Sequence, residues 1–86
     1  MIHIVRRKGH DMHRAYCDTC EGFCHGKGKS RYLTYWVAKA GAVIAAKRHD
    51  EDHERLKPLG QKPYVSDRLP YATMRQDYNL VGKEVF

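Results

Sequence analysis

Cys17 and Cys20, spaced C-x2-C, and His49 and His53, spaced H-x3-H, are the residues of this chain whose types and spacing suit a defined chemistry. Two cysteines at a tight turn can aim both sulfurs at one point. Histidines at i and i+4 lie one turn apart on the same face of a helix and aim two ring nitrogens back at it. Two thiolates and two imidazoles fill the tetrahedral shell of a zinc ion and leave no position for an activated water. The expectation is one structural zinc per chain, around which the fold is organised.

Cys24 offers a second arrangement, in which Cys17, Cys20 and Cys24 join one helix histidine in a Cys3His site. It ranks below the first because it strands the other histidine. An iron–sulfur cluster would want a fourth cysteine. Cys24 is expected to be an ordinary buried residue. An odd thiol count argues against a secreted disulfide scaffold, and the charges of Met1–Lys8 follow its apolar residues, the reverse of a secretory signal, so a cytoplasmic protein is expected.

Other chemistries fail on spacing. The run Gly26-Lys27-Gly28-Lys29-Ser30 would be a phosphate loop only with glycine at position 23, where Phe23 stands. The acidic residues around His49 and His53 lack the H-E-x-x-H spacing of a metallo-hydrolase. The chain is not expected to be an enzyme.

The elements that must position these residues can be read around them. Ile2–Arg7 and Met12–Cys17 alternate as short strands about the turn Lys8-Gly9-His10-Asp11, giving a hairpin that delivers Cys17 at its end. Glycines at 22, 26 and 28 make the next stretch irregular. From Thr34 to Leu56 the alanine-rich pattern predicts one long helix, capped by Thr34 or Ser30 and stopped by Pro58; a strand over Arg31–Val37 is the competing reading of its start. On a helical projection Ala38, Ala42, Ala45 and Ala46 lie in line with His49 and His53, so small side chains would let the helix backbone approach the cysteine knuckle. A short helix is expected over Pro70–Tyr78, where Tyr71, Met74 and Tyr78 share a face.

The fold class is α+β: a small zinc-stapled domain with an N-terminal hairpin and knuckle packed on one Ala-rich helix. Residues 1–57 would form the zinc-binding ββα-like part. Residues 58–86 would be a loop-rich extension packing on it or on a partner.

The knuckle, the alanine-rich helix and the terminal H-x3-H resemble C2H2 zinc fingers, in particular the small single-finger proteins found in many bacteriophage genomes. The stretch between Cys20 and His49 is more than twice the roughly 12 residues of the common finger. The resemblance covers residues 14–56 and implies a small regulatory or host-interaction role.

Two partner classes follow from charge and apolarity. The net charge is +6, and the first 31 residues hold Arg6, Arg7, Lys8, Arg14, Lys27, Lys29 and Arg31 against Asp11, Asp18 and Glu21. That excess suits the phosphate backbone of nucleic acid, such as DNA, with Arg6, Arg7, Lys8, Lys27, Lys29 and Arg31 as contacts. The alternative is a protein-interaction module, a homodimer or an inhibitor of a host protein, docking through Trp36, Val37 and Ile44 and a tyrosine-rich tail. No apolar run is long enough for a membrane span.

Overall fold

The computed structural model describes residues 1–27 and 32–85. Among the described residues six strands and two α-helices follow in the order β1 (Ile2–Arg7), β2 (His13–Cys17), β3 (Gly22–Phe23), β4 (Gly26–Lys27), β5 (Tyr32–Leu33), α1 (Lys39–Leu56), α2 (Tyr71–Asp77) and β6 (Tyr78–Val85), with a 3-10 turn at Lys57–Leu59 after α1. The larger sheet is antiparallel throughout and runs β3-β2-β1-β6; β4 and β5 form a separate ribbon.

The hairpin forms as its alternation predicts, with Ile2 opposite Cys17 and Arg6 opposite His13. Gly9 supplies the positive φ (76°) that its turn requires. Because the side chains of a strand alternate between faces, β1 feeds two cores. Ile2 and Ile4 join Ala15, Cys17, Cys24, Val65 and the α1 residues Ala42 and Ala46. Val5 joins Tyr16, Phe23, Tyr78 and Met74 of α2. The sheet is thus covered on both faces, by α1 on one and α2 on the other.

The long helix begins at Lys39, not Thr34. Residues ahead of it are held by β2 instead: Trp36 N–H donates to His13 O at 2.8 Å, and His13 N–H donates to Trp36 O at 2.6 Å. This bridge occupies backbone groups of β2 that β3, opposite only Tyr16 and Cys17, leaves free. Tertiary pairing therefore overrides the local helical pattern. Ala38, exposed and extended, is the N-cap residue in place of Thr34, and it makes no side-chain cap; Ser30 lies outside the described residues. Trp36 folds back onto the helix, so closely that a Cβ at Gly41 would lie 2.5 Å from its Cγ.

The segment after α1 is built into the same globule. Val65 is in the core, Ser66 exchanges two 2.9 Å backbone bonds with Phe23, and β6 pairs with β1. The register along β6 shifts between His3 and Val5, near Gly82, whose φ is 69°. The short helix expected near the C-terminus is α2; the strand that follows it was not legible as one.

Candidate metal centre

The four residues singled out by spacing come together. Cys17 is the last residue of β2, and Cys20 lies in the turn over residues 18–21 that Glu21 (φ 53°) closes before Gly22 pairs back with Cys17. The buried stripe of α1 is Ala42, Ala45, Ala46 and His49, so the alanine seam does bring the helix against the sheet. His53 lies one turn beyond His49 on the same side, and the two rings meet edge-on with centroids 4.7 Å apart.

Cys20 Sγ lies 3.6 Å from His49 Nε2 and 3.5 Å from His53 Nε2, and Cys17 Sγ lies 3.5 Å from His53 Nε2. All four ligand atoms fall within 4.8 Å of one another. A tetrahedral ion with metal–sulfur bonds of about 2.3 Å and metal–nitrogen bonds of about 2.0–2.1 Å sets each S···N edge at roughly 3.5–3.6 Å. The observed edges match that figure. Cys17, Cys20 and His49 are buried and His53 is half-buried, so the cluster opens to solvent on the His53 side.

Burial shapes the protonation of the set. Desolvation, followed by the neighbouring Cys17, pushes the Cys20 thiol up to about 11, while Lys62 and Arg68 pull the other way. Desolvation, reinforced by His53, pushes His49 down to about 4, which keeps its imidazole neutral with a lone pair free for a cation. The knuckle is braced by Asp18, whose carboxylate sits 3.2 Å from His3 Nε2.

Cys24 is not in the cluster. It is fully buried in the core, its N–H donates to Ala15 O at 2.8 Å, and burial raises its thiol well above the ordinary range. Among the described residues no other grouping of histidines, cysteines and carboxylates could hold a metal.

Comparison of the chain with protein-family models, with curated proteins and with solved structures finds no match.

The expected nucleic-acid contacts separate into two groups. Arg6, Arg7 and Lys8 are exposed at the turn end of β1, and the register puts that end opposite the Cys17 end of the hairpin. Lys27 is in β4, its backbone opposite Tyr32, while Lys29 and Arg31 lie outside the described residues. Arg14, also basic, is a structural tie. Its Nε donates to Thr34 O (2.9 Å), its Nη1 to Tyr78 Oη (3.0 Å) and its Nη2 to Asp67 (2.9 Å), with the guanidinium 3.6 Å from the Phe23 ring centre.

The expected docking patch divides as well. Val37 is 69% exposed and Ile44 60% exposed, whereas Trp36 is half-buried against Gly26, Gly41 and the core. Sequence reasoning missed Lys62 and Arg68, which line a cleft beside Cys20 with Thr19 and Glu21. No local signal ties them to the knuckle, since only the path of the segment after α1 brings them there. No helix among the described residues is long and apolar enough to cross a membrane.

Proposed function

We propose that Cys17, Cys20, His49 and His53 hold one structural zinc ion, and that the domain so stapled binds nucleic acid through the phosphate backbone. The observation that carries the metal is the match of three of the four S···N edges to a tetrahedral shell. Mixed thiolate and imidazole donors favour zinc over magnesium, calcium or manganese, which prefer oxygen. Four protein ligands close the shell, so the ion supports the fold and does no chemistry. On this reading the chain is a C2H2-like single-finger protein of the bacteriophage kind, working in a reducing, cytoplasmic setting. Elemental analysis should find one zinc per chain, and chelation should collapse the thermal transition, because site free energies of order 10–16 kcal/mol rival the whole stability of a small domain. Zinc-free protein with an unchanged melt in chelator refutes it.

For nucleic acid the support is the exposure of Arg6, Arg7 and Lys8 together at one end of the sheet, with none of them in an ion pair among the described residues. Replacing all three with alanine should weaken binding to random duplex DNA. It should also lower the slope of log K against log salt by nearly three, about 0.9 per lost contact. The exposed Val37 and Ile44 favour a second reading, a protein-docking face. If the wild type ignores DNA at low salt but sediments as a dimer that Ile44→Asp dissociates, that second reading replaces the first.

A further inference from the structure

At the turn end of the hairpin lies a cleft of about 260 Å³ lined by Arg7, His10, Met12, Arg14, Tyr35 and Tyr78. Its size falls below the roughly 300–1,000 Å³ of pockets that enclose drug-sized ligands. Its walls pair aromatic rings with cations. Tyr78 is buried, with its hydroxyl engaged by Arg14, and Arg14 is ion-paired to Asp67, so neither needs a further partner. Tyr35 differs: it is 50% exposed on a wall of the cleft.

Tyr35 is also held in place, although it sits outside any helix or strand. The residue before it is fixed by the bond from Arg14 Nε to Thr34 O, and the residue after it by the two-way bridge between Trp36 and His13. A half-exposed aromatic ring on a braced backbone loses little freedom when a second ring stacks on it. Arg7 lines the same cleft, so a strand whose base entered it would bring an adjoining phosphate beside that cation.

We infer that this cleft takes one unpaired nucleobase of a single-stranded nucleic acid, stacked on Tyr35 while Arg7 meets the adjoining phosphate. The inference rests on the nucleic-acid reading above and sharpens it, because a duplex keeps its base faces covered whereas a single strand offers them. Stacking of this kind tolerates any base, since every base has a π-face, so little sequence preference is expected.

The test compares anisotropy titrations of a labelled oligothymidylate with those of an abasic strand of equal length and charge. Wild-type protein should bind the thymidylate about fivefold to a hundredfold more tightly, the effect of stacking one base. Tyr35→Leu should erase that preference at unchanged salt slope and zinc content, and Tyr35→Phe should keep it. Arg7→Ala should weaken both strands and lower the slope by about 0.7. If wild type binds both strands equally and with the same salt slope, stacking is overturned while phosphate binding stands. If it binds neither strand, nor duplex, the nucleic-acid reading falls too. Should Tyr35→Leu fail to fold, photocrosslinking of an iodouracil strand to the wild type decides the matter. A crosslink at Tyr35 supports the inference, and one mapped elsewhere overturns it.

Discussion

Replacing Gly41 with alanine should destabilise the protein, although alanine is the better helix former. In an exposed helix interior the exchange stabilises by about 1 kcal/mol. Here the new Cβ would lie 2.5 Å from Trp36 Cγ, 2.6 Å from Cδ1 and 2.8 Å from Cβ. Ordinary carbon contacts are about 3.5–4.0 Å, so something must move by roughly 1 Å. Trp36 has little room to yield: its backbone is bonded both ways to His13, and the far edge of its ring lies against Gly26. Overpacking of this kind costs about 1–3 kcal/mol, and a ring held on two sides belongs in the upper half of that range. The net effect is a loss of about 1–2 kcal/mol, or a fall in Tm of roughly 5–15 °C for a domain of this size. Zinc affinity should fall too, because a helix levered away at Gly41 carries His49 and His53 with it, and metal bonds tolerate only about 0.2 Å. Circular-dichroism melts in zinc-saturated buffer measure the first effect, and competition with a chromophoric chelator the second. In a Trp36→Ala background the sign should reverse, with Gly41→Ala raising Tm. A rise in Tm on the wild-type background would refute the packing account.

Cys24→Ala should keep one zinc per chain and cost only about 1 kcal/mol, the loss of one small buried group; loss of zinc by elemental analysis would point to the Cys3His arrangement. His49→Ala should abolish stoichiometric zinc and the cooperative melt together, as it deletes a buried ligand. Met74→Ala should lower stability by about 2–5 kcal/mol in chemical denaturation yet retain zinc, because Met74 packs on the face of the sheet away from Cys17 and Cys20. Zinc Kd should fall as pH rises towards 8. The Cys20 thiol, raised to about 11, must lose its proton to bind and so contributes about tenfold per pH unit, while His49, lowered to about 4, competes with protons only in acid. Equilibrium dialysis across that range checks the slope.

The metal cluster was legible because its grammar is local. C-x2-C at a turn and H-x3-H on a helix each specify their own geometry within a few residues, and only the meeting of the two is tertiary. The hairpin was legible for the same reason, since alternation about Gly9 is a short-range signal. The helix start was misplaced because Trp36 takes its hydrogen bonds from His13, far away in sequence, and the competing strand reading of Arg31–Val37 is the one that holds in part, at Tyr32–Leu33 and the Trp36 bridge. β6 was missed because it is an edge strand: Asn79 and Leu80 are exposed, and Gly82 interrupts the alternation. Its pairing with β1 is what places it. Tyr35 was read as part of a helix, and its place in a cleft depends on that same displaced start.

The strand order β3-β2-β1-β6 also bears on how the chain is made. Synthesis runs from the N-terminus, so β1 and β2 emerge first, and every residue of the candidate metal cluster is available once His53 has appeared. One edge of β1 then has no partner until β6 follows, some thirty residues later. During that interval β1 presents an open backbone edge of the kind that captures stray strands. A metal clamp that joins the base of the hairpin to α1 would hold the early elements in register through that wait. Zinc limitation should then be felt first as insoluble nascent protein, before any finished molecule unfolds.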